Sequence, residues 1–282
     1  MRIAVTGSNG FIGSELVKYF LANGDEILLL QRHQPAMLPD RAKYQPFDIS
    51  KHGGTLNLDS VDVLIHAAYM PYTSTNNASV LNVQATMHLY QLCISTGVQF
   101  IFLSSMSAHV NALSEYGKHK FELEQQLDSH KCLIIKLGLV IGTKGLFSRI
   151  YNSFKKTPFA VMVGGGKQPV QPVYIDDVVK VIAKCVSEKR TGKYTLAVNK
   201  VYTMRQLFTA IAEKADKKPM FISVPYWLVG LGIGVVETLH LPFPVSKENL
   251  LGLKQLQAAD TSEDLSQLGI MPIDFKDSID LL

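Results

Sequence analysis

Tyr116 and Lys120 stand one helical turn apart in Tyr116-Gly117-Lys118-His119-Lys120. They follow an apolar run that ends in serines, Phe100-Ile101-Phe102-Leu103-Ser104-Ser105-Met106-Ser107. Residues four apart share one face of a helix. A free phenol titrates at about 10, too high to trade protons easily at neutral pH. An ammonium within ~4–6 Å favours the phenolate and lowers that value. Lys120 is spaced to do this to Tyr116. Tyr116 can then give or take a proton at a substrate oxygen, which the Ser105 hydroxyl can hold; Ser107 is the alternative to Ser105. A Tyr-x-x-x-Lys spacing recurs by chance, so its meaning depends on the elements around it.

Those elements alternate. Residues 2–6 form a short β-rich run, and a helical pattern continues to Ala22, where Asn23-Gly24 stops it. Further strands are expected over 26–30, 42–47, 61–66, 100–103 and 132–137, with helices over 82–96 and 114–127. Continuous apolar strands separated by helices predict an α/β fold with a parallel sheet covered on both faces. In such a sheet, ligands bind at the carboxyl edge of the strands. The chain between Gly142 and Gln171, with its triple glycine and prolines, reads as loop-rich. A helix over 176–186, a strand over 194–198 and a helix capped by Thr203 are expected beyond it.

The loop Gly7-Ser8-Asn9-Gly10-Phe11-Ile12-Gly13 lies between a strand and a helix, the context that a dinucleotide-binding turn requires. Gly7 permits the tight turn, Gly10 lets backbone approach a pyrophosphate, and Gly13 allows close helix–strand packing. The helix start offers free N–H groups to the phosphates. The second strand ends in Gln31-Arg32-His33, without the carboxylate that usually holds a ribose 2′-hydroxyl. Arg32 can instead pair with a 2′-phosphate, which favours NADP over NAD. Asp48, beside Ile49, can accept from the adenine amino group. Ala67 and Ala68 are small enough for backbone to lie against a cofactor, and Ser104 is expected to face the nicotinamide. Lys120 can also hold the cofactor ribose. His66 and His109 fall near the same edge and are expected to be structural.

Composition excludes several classes. A net charge of +4 without a Lys/Arg block argues against nucleic-acid binding. Cys93, Cys132 and Cys185 are far apart and show no metal spacing, which predicts a reduced, cytoplasmic compartment. The start Met1-Arg2-Ile3-Ala4-Val5 carries no signal-peptide pattern. The greasiest stretch, Val224 to Val236, contains Pro225 and three glycines and is shorter than the ~18–20 residues of a membrane span. It is expected to be a buried or interfacial helix, with peripheral membrane contact as the alternative.

Together Thr6-Gly-x-x-Gly-x-x-Gly13, Asp62-Val-Leu-Ile-His-Ala-Ala68, Asn82-Val-Gln-Ala-Thr86, Phe100-Ile-Phe-Leu-Ser-Ser105 and Tyr116-x-x-x-Lys120 resemble the extended short-chain dehydrogenase/reductases. The nearest branch is the NAD-dependent epimerase/dehydratase group of nucleotide-sugar enzymes. Gly164 to Val178 and Asp260 to Pro272 resemble that group's downstream segments. The resemblance implies a Rossmann-type doubly wound parallel sheet with a smaller C-terminal substrate lobe. The nucleotide-binding domain would be 1–142 with 173–198, and the substrate lobe 143–172 with 199–282. It implies Ser105, Tyr116 and Lys120 as the catalytic triad and Asn82 beside the cofactor. The substrate would be a small molecule, a nucleotide sugar in that group; the sequence leaves oligomeric state open, although many relatives form homodimers through the two helices that fall here around 82–96 and 114–128. This sequence departs from the family's pattern at Val170, where an arginine usually clamps the substrate diphosphate; Lys167 or Lys254 are the substitutes. Lys136-Leu137 replaces an Arg-Pro pair, and the stretch between Ser105 and Tyr116 is short. An alternative reading is a non-catalytic NADPH-binding scaffold or redox sensor, similar to an accessory subunit of respiratory complex I. Relatives of that kind generally lack an intact Tyr-x-x-x-Lys.

Overall fold

A computed structural model describes residues 1–51, 56–71, 77–229 and 247–282. Seven parallel strands form the central sheet: β1 (Arg2–Thr6), β2 (Glu26–Gln31), β3 (Ala42–Pro46), β4 (Val63–His66), β5 (Gln99–Ser105), β6 (Cys132–Leu137) and β11 (Gly192–Leu196). Their order is β11-β6-β5-β4-β1-β2-β3, so the chain reverses direction across the sheet between β1 and β4. Crevices at such a reversal are where open α/β sheets take ligands.

The five inner strands, β1, β2, β4, β5 and β6, read as apolar runs because both faces are covered. Ile3, Val5, Ile101, Leu103, Leu133 and Ile135 point into one core with α1 (Phe11–Ala22) and α5 (Ile175–Ser187). Ala4, Leu64, Phe100, Phe102 and Ile134 point into the other with α2 (Ala78–Thr96) and α3 (Glu115–Gln126). Burying one such Leu, Ile or Phe contributes roughly 1.5–3 kcal/mol. Thr203 caps α6 (Met204–Lys214) through a reciprocal box with Gln206, satisfying two otherwise orphan N–H groups.

The stretch expected to be loop-rich is largely ordered. After the short β7 (Leu139–Ile141), α4 (Gly145–Lys156) buries Phe147, Ile150 and Phe154, whose spacing makes one apolar stripe. The glycines and prolines that suggested a loop lie beyond that stripe. They separate β8 (Phe159–Val163), β9 (Pro169–Val170) and β10 (Pro172–Tyr174). A third core joins α4 and α6 to Tyr202 of β12 (Tyr202–Thr203) and to Phe275 and Ile279. Two boundaries also shift and one strand is added. α2 starts at Ala78 rather than 82, β11 occupies 192–196 rather than 194–198, and an unexpected β13 (Met220–Val224) pairs in parallel with β8. The apolar stretch 224–236 lies within the described residues only as far as Val229. Among the described residues, no helix is long and apolar enough to cross a membrane. Cys93, Cys132 and Cys185 are free and buried, and burial pushes their thiols up, to about 12, 12 and 11 respectively.

Candidate active site

The turn after β1 is shaped by two contacts that only glycine allows. Gly7 has φ 63°, and a Cβ there would lie 2.8 Å from Ala68 Cα. A Cβ at Gly13 would lie 2.2 Å from Gly7 O, so α1 crosses directly over the turn. Gly10 N–H donates to Gly7 O at 2.8 Å and closes it. The α1 N-terminus has no side-chain cap and no acidic residue in its first turn. Its leading N–H groups therefore stay available to an anion.

This turn opens on a cavity of about 700 Å³ lined by Gly7, Asn9 and Gly10, by Arg32, Asp48 and Ile49, and by Ala67, Ala68 and Tyr69. That volume falls within the range of small-ligand sites. Ser8 turns away from it, donating its hydroxyl to Gln31 Oε1 at 2.8 Å. Phe11 packs over Gly142 and Gly145, and Ile12 joins the core around α1. Arg32 is exposed at the rim. Burial opposes ionisation of Asp48, but the Ser50 hydroxyl and N–H, with Arg32 nearby, hold its carboxyl below the usual range.

The floor of the β4 edge is a chain of hydrogen bonds. Thr6 Oγ1 accepts from the N–H groups of Ala67 and Ala68, both at 3.1 Å, so its proton goes to His66 Nδ1 at 2.8 Å. Thr86 Oγ1 donates to Asn82 O at 2.7 Å and therefore accepts from His66 Nε2 at 3.0 Å. His66 is thus a neutral structural link, and burial, reinforced by Lys120, pushes its pKa down to about 3. The Asn82 amide holds backbone of Met70 and Ala78, bracing the segment after β4 rather than facing the cavity.

The serines, tyrosine and lysine gather at the end of β5. Ser114 caps α3 by accepting from Gly117 N at 3.2 Å. A Cβ at Gly117 would lie 2.4 Å from Ser107 O, so α3 sits hard against the β5–α3 connection. That closeness brings the Tyr116 phenol to the Ser105 hydroxyl. The Tyr116 ring meets the Tyr69 ring edge-on, with centroids 4.9 Å apart, and Tyr69 joins it to the cavity wall. Tyr69 was not singled out from sequence; its position directly after Ala67-Ala68 is the available signal. The short connection before Tyr116 is covered from α7 (Lys247–Lys254) and just beyond it. Glu248 accepts from Glu115 N at 2.8 Å, and Gln255 O accepts from His109 Nε2 at 3.0 Å.

Two expectations are corrected here. Lys120 does not depress the Tyr116 phenol. Its Nζ donates to Leu103 O at 2.7 Å and lies 4.3 Å from the Phe102 ring centroid. Burial lowers its own pKa to about 7, opposed by Glu124. The Tyr116 phenol is instead raised by burial, with only Ser105 acting to lower it. Ser104 does not face a nicotinamide either. Neighbouring strand residues point to opposite faces, and the Ser104 hydroxyl donates to Glu124 Oε1 at 2.6 Å on the α3 side.

Glu124, one turn beyond Lys120, is a buried carboxylate at the hub of an ionic network that sequence reading missed. Its Oε2 lies 2.6 Å from Lys193 Nζ and 3.2 Å from Lys136 Nζ, and Lys136 also donates to Ala108 O at 2.6 Å. Glu124→Gln leaves these ammonium groups without their shared carboxylate. Lys193 is 36% exposed and can stay hydrated, so a stability loss of about 1–2 kcal/mol is expected, below that for a fully buried pair. Urea unfolding measures it, and an unchanged midpoint would show that the network contributes nothing.

The chain is similar to known proteins over most of its length. The model of the NAD dependent epimerase/dehydratase family matches residues 3–199. The UDP-glucose 4-epimerase of Thermotoga maritima, solved with UDP-glucose, superposes with a TM-score of 0.75 at 19% identity, covering 100% of this chain and 97% of that one. The Thermus thermophilus UDP-glucose 4-epimerase, solved with NAD, gives 0.73 at 20% identity, covering 99% and 96%. At these identities the likeness is one of fold. The first curated relatives are uncharacterised mycobacterial proteins, such as one from Mycobacterium tuberculosis that is 24% identical over 219 residues. That match spans 75% of this chain but only 23% of the relative's length.

Proposed function

Because the chain belongs to the NAD dependent epimerase/dehydratase family, matched over residues 3–199, we propose that it is an NAD(P)-dependent oxidoreductase or epimerase. Its substrate would be a sugar-like alcohol or carbonyl, as a nucleotide sugar presents. The observation that carries this reading is the meeting of the Tyr116 phenol, the Ser105 hydroxyl and the Tyr69 ring beside the cavity that opens from the glycine turn.

The residues present suit a dinucleotide. The uncapped α1 start and the Gly7–Gly10 turn receive the pyrophosphate, with no side chain or acid competing for the N–H groups. Asp48 accepts from the adenine, and Ala67-Ala68 leave room for the ribose. A bound nicotinamide supplies or takes the hydride at the substrate carbon. Tyr116 moves the proton at the substrate oxygen, and Ser105 donates a hydrogen bond to that oxygen. Lys120 can turn from Leu103 O toward the cofactor ribose. Val170 is buried against Tyr202, so a substrate diphosphate would meet lysine point charges, Lys167 or Lys254, rather than an arginine fork.

Turnover with UDP-glucose and related nucleotide sugars, followed by product analysis, tests the reaction. The non-catalytic scaffold reading would be favoured by tight cofactor binding with no turnover across that panel. For the cofactor, Arg32 at the rim predicts that NADPH binds about ten-fold more tightly than NADH, from one exposed charge-assisted contact to the 2′-phosphate. Arg32→Ala is expected to erase the difference in a fluorescence titration. Equal affinities in the parent protein would remove the argument from Arg32.

A further inference from the structure

β8 and β13 form a separate two-stranded sheet whose register aligns Phe159 with Met220 and Val161 with Ile222. One face packs inward: Met162 is 2% exposed, and Ala160 and Phe221 lie against the core of α4 and α6. The other face should then be polar, because one-sided sheets alternate apolar-in and polar-out. It is apolar instead, with Phe159 50%, Val161 59%, Met220 55% and Ile222 52% exposed. Beyond the end of β13 the chain adds Trp227 and Leu228, both exposed, whereas Val229 beside them is buried. Tyr226 is anchored, its hydroxyl accepting from Gln168 Nε2 at 2.5 Å. The outward placement of Trp227 therefore belongs to an anchored stretch.

Charge specifies what such a face meets. Lys155 and Lys156 close α4 just before β8, and Lys217 and Lys218 lead into β13; all four are exposed. Met220 N donates to Pro158 O at 2.8 Å, which brings both lysine pairs to the same end of the sheet. Glu213 and Asp216 are the exposed acids in the run before β13, set against the four exposed lysines. An exposed apolar face with an aromatic flank and a lysine rim matches a lipid interface with anionic headgroups. The apolar side chains enter the acyl boundary and the ammonium groups meet the phosphates.

We propose that the β8–β13 face, with Trp227 and the Lys155/Lys156 and Lys217/Lys218 pairs, docks this protein on an anionic bilayer surface. The contact is peripheral and reversible, and it is independent of the reaction proposed above. Trp227 is the chain's only tryptophan and reports on it directly. With vesicles of mixed phosphatidylcholine and phosphatidylglycerol, its emission is expected to shift to the blue and the protein to co-sediment. On phosphatidylcholine alone, binding is expected to be at least ~ten-fold weaker. Val161→Asp with Ile222→Asp places charge at two outward positions and should lower partitioning on anionic vesicles by ~ten-fold or more. Far-UV circular dichroism checks that this variant is folded. Lys155→Gln, Lys156→Gln, Lys217→Gln and Lys218→Gln together leave the apolar face intact and should also weaken binding and its salt dependence. Absence of any shift with anionic vesicles overturns the proposal, as does binding that both folded variants retain. A concentration-dependent dimer in sedimentation velocity, broken by the aspartate pair without vesicle binding, would assign the face to a second copy instead.

Discussion

Tyr116→Phe is expected to lower turnover by ~10²–10⁴-fold, the usual contribution of a positioned acid or base, while NADPH affinity changes little. The substitution removes one oxygen and keeps the ring, so the edge-on packing at 4.9 Å from Tyr69 survives. Burial holds the parent phenol above its usual value of 10.0, with Ser105 opposing, so it is protonated at neutral pH. A protonated phenol is ready to donate to a carbonyl oxygen as hydride arrives, which favours reduction. The alcohol-oxidising direction needs the phenolate, so its rate should climb with pH up to that raised value. Turnover in both directions against pH, together with a cofactor titration, provides the test. A Phe variant that keeps its rate with an identified substrate removes Tyr116 from proton transfer.

Lys120→Met is expected to move activity and stability in opposite directions. Lys120 is 6% exposed, and burial brings its pKa from 10.5 to about 7. An ammonium in that position is disfavoured relative to the unfolded chain. A folded-state value below the unfolded one means that the unfolded chain binds more protons between them. Stability of the cofactor-free protein should therefore rise as pH climbs from about 7 toward 10.5, and its deficit is largest below about 7. Methionine removes the charge and keeps an apolar stem against Phe102. The loss of the hydrogen bond to Leu103 O offsets part of the gain, so we expect a net rise of about 2 kcal/mol at neutral pH, or roughly 5 °C in Tm. Turnover should fall ~10²-fold or more, because the ammonium no longer orients the cofactor ribose. Thermal melts across pH decide the matter. A lower Tm would identify Lys120 as a structural residue, and a pH slope equal to that of the parent would remove its titration from the account.

The alternating strands and helices were readable because each central strand is a continuous apolar run, a direct consequence of burial on both faces. The glycine turn was readable for a similar reason: Gly7 and Gly13 meet backbone where no Cβ fits, and that demand is written into residue type. The helix over 145–156 was obscured by the glycines and prolines that follow it, although Phe147, Ile150 and Phe154 carry its stripe. β13 was missed because its partner β8 lies far away in sequence and neither strand has a polar face to mark alternation. Ser104 was misdirected because a pair of serines at a strand end does not say which one faces which side. The Glu124 network joins α3, β6 and β11, and no local pattern announces it.

By itself, the sequence determined the order of elements, the edge at which the glycine turn, Arg32, Asp48 and Ser105 collect, and the turn of helix shared by Tyr116 and Lys120. These follow from periodicity and backbone sterics, which act between near neighbours. The tertiary structure alone decided the charge states at that edge. It set a phenol raised rather than lowered, a lysine near neutrality and tied to Leu103 O, a neutral His66, and a carboxylate sharing two lysines. A pKa depends on which water is removed and which dipoles replace it, and both are supplied by residues brought together only when the sheet and its helices pack.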